Sequence, residues 1–140
     1  MPAGAFVAPA WASVTARERR PRILLLDSDE DSRRIAGFAL STDGFEVVAT
    51  EDPAVALELI AAGDIALVVS DLGPHWPAAS SVVRTLTRDA CSPPVLAYSA
   101  ALGPLIGIVA ARSGCAGCLL KPCSVTELRD AVRRVIAGRF

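Results

Sequence analysis

Length, composition and charge restrict this chain to a few classes of protein. Its 140 residues fit one domain, and a chain of this size buries enough surface to fold without disulfide or metal staples. With 52% apolar residues, 21% charged residues and a net charge of −1, the composition is that of a globular protein. It carries no global signal for nucleic acid or an anionic membrane. No apolar run approaches the roughly 20 residues that span a bilayer.

Residues 1–21 are predicted to form an N-terminal extension, disordered or loosely attached, that precedes a domain at 22–138. The extension is rich in Ala and Pro and ends in a basic cluster. The alternative is a secretory signal, because residues 10–12 (AWA) resemble a cleavage site. Against it, no positive charge precedes the apolar part, and Pro9 interrupts that part.

Five short apolar runs alternate with helical patterns from residue 22 onwards. The predicted strands are 22–27 (RILLLD), 45–50, 65–71, 94–99 and 117–120. The predicted helices are 29–42, 52–63, about 78–89, roughly 104–113 and 125–137. Five βα units of this kind predict an α/β fold with a doubly wound, five-stranded parallel sheet and helices on both faces.

The helical segments carry local signals of their own. The segment 52–63 has Asp52 as a candidate N-cap, Pro53 at its first position and Gly63 beyond its end. Two helices have predicted faces: in the first, Ile35, Phe38, Ala39 and Thr42 share one side, and in the last, Leu128, Val132 and Val135 point inward.

Side chains that can take part in chemistry end or directly follow the first, third, fourth and fifth predicted strands. Strand one ends at Asp27, strand three at Asp71 and strand four at Ser99, and Lys121-Pro122 follows strand five. In parallel sheets the functional crevice lies at the carboxyl ends of the strands. Carboxylates there suit Mg²⁺, a lysine and a hydroxyl can bind a phosphoryl group, and an aspartate can accept one.

With RILLLD, VVSD, VLAYSA and LLKP in this order, residues 22–138 resemble the receiver domain of two-component response regulators. The resemblance implies a flavodoxin-like (βα)5 fold with strand order 2-1-3-4-5. It implies phosphorylation of Asp71 by a histidine kinase, with Ser99 turning toward the phosphate. Lys121 would pair with the phosphate or with Asp71, and its bond to Pro122 would be cis. The implied Mg²⁺ ligands are Asp27, Asp71 and the backbone carbonyl of Gly73.

The chain departs from the family pattern at the residue after Asp27 and at the residue three positions before Lys121. Receivers usually carry a second acid after the first, commonly the direct metal ligand, and here that position is Ser28, which predicts weaker Mg²⁺ binding. Ser28 has a local explanation as well, because Ser28-x-x-Asp31 is a loose capping pattern at the start of a helix. Three positions before Lys121, where the family often has Tyr or Phe, this chain has Cys118.

The loop after the predicted phosphoacceptor, residues 72–77 (LGPHWP), also departs from the family. His75 either touches the phosphate or is solvated, and Trp76 either packs within the loop or contacts a partner. Both alternatives stay open from the sequence.

Four cysteines are present, at positions 91, 115, 118 and 123. A metal or redox role for the C-x-x-C pair is the weaker alternative, because a zinc site lacks a fourth ligand nearby. Small buried thiols in a reducing cytoplasm are favoured.

The segment 104–113 (PLIGIVAARS) has apolar residues on more than one face. It is therefore either a deeply buried helix or a patch for a partner or a dimer.

The function predicted from these observations is a single-domain receiver that acts through protein contacts and is not an enzyme. Its upstream partner would be a histidine kinase or phosphotransfer protein. Downstream it would bind a protein, or itself as a homodimer, through helix 104–113 and strand five, with no direct nucleic-acid or membrane binding. The alternative is a pseudo-receiver, an interaction module with weak or absent Mg²⁺-dependent phosphorylation.

Overall fold

The computed structural model describes residues 20–138, so residues 1–19 of the predicted extension lie outside the described part. The strands are β1 Arg22–Leu26, β2 Glu46–Thr50, β3 Ile65–Ser70, β4 Val95–Ser99 and β5 Gly117–Leu120. The helices are α1 Glu30–Thr42, α2 Pro53–Ala61, α3 Pro77–Thr87, α4 Ile106–Arg112 and α5 Val125–Ile136, with a 3₁₀ turn at Gly103–Leu105 before α4.

The five strands form one parallel sheet in the order β2-β1-β3-β4-β5, which confirms the predicted fold and strand order. Two apolar clusters lie on its two faces. One packs α1 and α5 against the sheet, and the other packs α2, α3 and α4. Strands β1 and β3 supply side chains to both clusters in alternation, which explains their continuous apolar sequence.

Helix α2 begins and ends where the sequence signals predict. The Asp52 carboxylate accepts a hydrogen bond from the Ala54 amide at 2.9 Å, and Pro53 occupies the first helical position. Gly63 follows the helix with φ of 89°, a conformation that glycine adopts without a steric penalty.

The buried face of α1 differs from the predicted one. Ala36, Ala39 and Leu40 are buried, whereas Ile35 and Phe38 are 63% and 74% exposed. The apolar residues of this helix cover more than one side, and the small alanines allow the helix to approach the sheet closely. Ile35 and Phe38 therefore face outward, whereas Ala39, predicted to share their side of the helix, is buried.

The start of α1 also differs from the predicted capping pattern. The N-cap is Asp29, with no side-chain capping bond, and Ser28 is exposed. The Asp29 amide instead donates to Oδ1 of Asp27 at 3.0 Å, two residues back, as in an Asx-turn. The turn into α1 is thus organised by Asp27 and not by Ser28.

The segment 104–113 is not a deeply buried helix. Ile106 and Ala110 face the core, but Leu105 and Ile108 are 58% and 56% exposed. The alternative of a deeply buried helix is therefore wrong, and a patch for a partner or a dimer stays a prediction. In α5, by contrast, the predicted inward residues Leu128, Val132 and Val135 are all buried.

The four cysteines are free thiols, and they differ in exposure. Cys91 is exposed, which contradicts its prediction as a buried thiol, while Cys115, Cys118 and Cys123 are half-buried. Burial, together with neighbouring Cys118, raises the pKa of the Cys115 thiol to about 11. Within residues 20–138, no helix combines the length and the apolarity needed to cross a membrane.

Candidate functional site

Backbone register brings the ends of β1 and β3 together at the carboxyl edge of the sheet. Leu26 pairs with Ser70 across the two strands, and the Asp71 amide donates to the Leu26 carbonyl at 3.0 Å. Asp27 and Asp71 are therefore the first residues beyond two adjacent strands. Both are buried, at 0% and 7% exposure.

The Asp27 carboxylate is engaged at both oxygens. Oδ1 accepts the Asp29 amide, and Oδ2 accepts the Ser32 hydroxyl at 2.8 Å and the Lys121 ammonium at 2.5 Å. The guanidinium of Arg33 binds the Asp27 backbone carbonyl at 2.8 Å. The protein itself thus provides this buried acid with an opposite charge and with hydrogen-bond donors at both oxygens.

Lys121 directly follows strand β5 and precedes Pro122. Its amide donates to the Ser99 carbonyl at 3.1 Å, and the Lys121-Pro122 peptide is cis, as predicted. The ammonium lies 4.6 Å from the centre of the Tyr98 ring, a cation–π distance. Its carboxylate partner is Asp27, whereas the family resemblance implied Asp71 or the phosphate.

The Asp71 carboxylate has fewer hydrogen-bond partners than the Asp27 carboxylate. Oδ1 accepts the Leu72 amide at 2.8 Å, and the Ser70 hydroxyl donates to the Asp71 backbone carbonyl. Nε2 of His75 lies 3.2 Å from Oδ2. His75 is therefore not a freely solvated loop residue, although its side chain is 40% exposed.

The loop that carries His75 is anchored to α3. The Gly73 carbonyl accepts the Ser80 hydroxyl at 3.1 Å and the Trp76 amide at 3.2 Å. Trp76 is half-buried and packs against the core cluster beneath α3, so packing within the loop is the alternative that the structure supports.

Ser99, the last residue of β4, lies at the same edge of the sheet. Its side chain is fully buried, and its Oγ accepts the Ala101 amide at 3.2 Å. An accepted hydrogen bond leaves the hydroxyl proton available for donation to a neighbouring anion.

The candidate metal ligands around Asp71 fit Mg²⁺ poorly in this arrangement. Both oxygens of Asp27 are engaged, the Gly73 carbonyl already accepts two hydrogen bonds, and the exposed Ser28 offers no carboxylate. Among residues 20–138, no group of three or more His, Cys, Asp and Glu side chains could hold a metal ion. Receiver domains generally bind Mg²⁺ at their acidic site. Here a cation at Asp27 would share the carboxylate with the Lys121 ammonium, which is bound at Oδ2.

Sequence reasoning missed two residues of the site, Ser32 and Tyr98. Ser32 lies in the first turn of α1, five positions after Asp27, where helix geometry returns the chain to the sheet edge. Tyr98 is the single tyrosine of the chain and lies directly before Ser99. Burial raises the pKa of the Tyr98 phenol to about 12, with a further contribution from the neighbouring Cys123 thiol.

A parallel sheet of order 2-1-3-4-5 with two acids, a hydroxyl and an ammonium at its carboxyl edge is the architecture of a receiver domain. The chain belongs to this family, since the family model described as "Response regulator receiver domain" matches residues 23–133. This is the signalling module of two-component response regulators.

Known proteins agree with this assignment. The chain is 33% identical over 115 residues to the DNA-binding transcriptional regulator NtrC of Rhizobium meliloti (strain 1021), covering 82% of this chain. A response regulator from Thermotoga maritima shares the fold with a TM-score of 0.74 at 21% identity, over 84% of this chain and 98% of that one. NtrX from Brucella abortus gives a TM-score of 0.75 at 22% identity, over 86% of this chain.

Two of these proteins are much longer than the matched region. This chain spans 24% of the NtrC relative and 27% of the NtrX chain. Action as a single domain therefore stays a prediction.

Proposed function

We propose that this receiver accepts a phosphoryl group on Asp71 from a histidine kinase or phosphotransfer protein and passes the signal on through protein contacts. It changes state on modification and does not turn over substrate as an enzyme does. Oδ2 of Asp71 attacks phosphorus, and an acyl phosphate bond forms as the bond from phosphorus to the donor breaks. The bonding electron pair leaves with the donor.

The observation that supports this proposal is the convergence of four residues from four strands at one edge. Asp71 is buried yet keeps one oxygen, Oδ2, free of backbone hydrogen bonds. Ser99 has a hydroxyl proton to donate. Lys121 lies at the same edge, where its ammonium could bind a phosphoryl oxygen as well as Asp27. Together these groups supply a nucleophile and two phosphate ligands.

A second candidate, the pseudo-receiver, is favoured by a different observation. Lys121 already neutralises Asp27, and Ser28 leaves the family's metal position without a carboxylate. A site with these contacts could be kept for its fold while modification is slow or absent. Mg²⁺, if it binds through Asp27 and Asp71, would then do so weakly.

Mass measurement separates the two candidates. The chain is incubated with a small phosphodonor such as phosphoramidate and Mg²⁺, and the intact mass is followed for the wild type and for Asp71→Asn. A single phosphate adduct on the wild type alone supports phosphorylation of Asp71. No adduct on either protein, and no binding of beryllofluoride by ¹⁹F NMR, would favour the pseudo-receiver.

The exposed patch of Leu105, Ile108 and Leu120 is the proposed contact surface for a downstream protein or a second copy. Leu105 ends the 3₁₀ turn before α4, Ile108 lies within α4, and Leu120 ends β5. Charged substitutions at Leu105 and Ile108 should abolish such binding without changing phosphorylation of Asp71, because neither residue contacts the acidic edge. Size-exclusion chromatography with light scattering measures self-association, and loss of phosphorylation in these variants would contradict the assignment.

A further inference from the structure

Phosphoryl transfer to Asp71 brings additional negative charge to an edge that already holds two buried acids. In most analyses that charge is spread over the three peripheral oxygens of the transferring group, which need hydrogen-bond donors or cations. The structure leaves few of these around Asp71. Lys121 is bound to Asp27 at 2.5 Å, and Ser28 provides no acid to hold a cation.

The imidazole of His75 lies within hydrogen-bonding distance of the reacting oxygen. Oδ1 of Asp71 is occupied by the Leu72 amide, so Oδ2 is the oxygen free to bond phosphorus. Nε2 of His75 lies 3.2 Å from that same oxygen. When phosphorus bonds to Oδ2, its peripheral oxygens come within hydrogen-bonding range of a donor already in this position.

The position of the imidazole depends on the residue at 73. A Cβ at Gly73 would lie 2.7 Å from Nδ1 and 3.0 Å from Cε1 of His75, closer than side chains tolerate. The ring thus occupies the space that a side chain at 73 would fill. The Ser80 hydroxyl, bound to the Gly73 carbonyl, fixes this part of the loop to α3.

We propose that His75 is a catalytic residue of phosphoryl transfer to Asp71, whose Nε2 donates a hydrogen bond first to the acceptor carboxylate and then to the phosphoryl group. It supplies a donor at an edge where Ser28 supplies no metal-binding carboxylate. This inference rests on the proposed role of Asp71 as the phosphoacceptor.

The first test compares rates of modification by phosphoramidate for wild type, His75→Ala and His75→Gln, by intact mass. His75→Ala should slow modification about tenfold, because the imidazole N–H stabilises the charge on the transferring phosphoryl group more strongly than the charge of the free carboxylate. His75→Gln should recover part of the rate, because its amide keeps an N–H donor at the ε position. Pro74→Ala changes the same exposed loop without removing the imidazole and should react at the wild-type rate.

The second test moves the imidazole without removing it. Gly73→Ala should displace the ring and slow the reaction in the same direction as His75→Ala. In the His75→Ala background, however, Gly73→Ala should add little, because no ring remains to be displaced. Full additivity of the two effects would show that residue 73 acts by another route.

A third readout does not depend on turnover. His75 is the only histidine in the chain, so its imidazole ¹⁵N signals need no further assignment. Addition of beryllofluoride should shift the Nε2 signal in the wild type and leave it unchanged in Asp71→Asn.

The outcomes separate the two proposals. If the wild type is neither modified nor able to bind beryllofluoride, the proposed phosphoacceptor role of Asp71 fails and the role of His75 falls with it. If the wild type is modified but His75→Ala reacts as fast or faster, the imidazole is a bystander or an obstruction. In that case only the inference about His75 is overturned.

Discussion

The two buried acids at the edge of the sheet have opposite environments. Asp27 accepts three hydrogen bonds at its carboxylate, one of them from an ammonium, and is fully buried. Asp71 accepts one backbone amide and lies 3.2 Å from a partly exposed imidazole. One acid is fixed by the fold, and the other retains an oxygen that can react.

This difference shows how one sheet edge can hold both a structural and a reactive carboxylate. Asp27 draws two partners from the start of α1, within five residues, and a third, Lys121, from 94 positions away directly after β5, so it joins separate parts of the fold. Asp71 draws its partners from its own loop, within four residues. Local partners can move with the loop, whereas the partners of Asp27 cannot move without disturbing packed elements.

The largest expected effect is on stability, and it tests this comparison directly. Asp27→Ala should lower the free energy of unfolding by about 3 kcal/mol, because it leaves the Lys121 ammonium without its buried partner. The matched variant Asp71→Ala should lose about 1 kcal/mol, since only one amide and a partly exposed ring lose an acceptor. Urea unfolding of both variants gives the two values, and equal losses would contradict the distinction.

The next effect concerns Mg²⁺. Ser28→Asp restores an acid at the family's metal position and should tighten Mg²⁺ binding on the order of tenfold, because affinity follows the number of charged ligands. Calorimetric titration measures this affinity. Glu30→Gln serves as a control that changes an exposed charge of nearby α1. An unchanged affinity in Ser28→Asp would refute the placement of Ser28 at the metal position.

Ser32 offers a smaller change on the Asp27 side alone. Ser32→Ala removes one of three hydrogen bonds to that carboxylate and should cost about 1 kcal/mol of unfolding free energy. The rate of phosphorylation at Asp71 should stay close to the wild-type rate, because the partners of the Ser32 hydroxyl are Asp27 and Tyr98 and not Asp71. A Thr85→Ala variant, which loses a comparable hydroxyl on exposed α3, provides the reference for surface effects.

The sequence predicts the fold and the edge of the site well, for a physical reason. Strands buried on both faces are continuously apolar, so a polar residue at the end of such a run marks where the strand leaves the core. Asp27 and Asp71 follow from that rule alone. The cap at Asp52 is equally local and was also predicted correctly.

What the sequence could not predict depends on three-dimensional packing. Lys121 binds Asp27, which lies 94 positions earlier in the chain. The register of β5 against β4 brings these two residues together. The outward orientation of Phe38 depends on how closely α1 approaches the sheet. His75 was left open because a loop residue's contacts follow from the path of the loop, here fixed by the bond from Ser80 to Gly73.

The smallest effect at neutral pH is expected at Tyr98, where the Asp27 side meets the core. Tyr98→Phe keeps the ring beneath Lys121 and should change the free energy of unfolding by no more than about 0.5 kcal/mol near neutrality.

At high pH the two proteins should diverge. Burial raises the phenol's pKa from 10.0 to about 12, so between these values the unfolded chain releases a proton that the folded chain retains. Stability of the wild type therefore falls as pH rises from about 10 to 12, and Tyr98→Phe lacks that part of the decline. Urea unfolding at several pH values in this window, against the same series at neutral pH, separates the phenol from the single lysine and the cysteines that both proteins share. Parallel curves for the two proteins would mean that the phenol ionises equally in the folded and unfolded chains, and that Tyr98 contributes to the site through its ring alone.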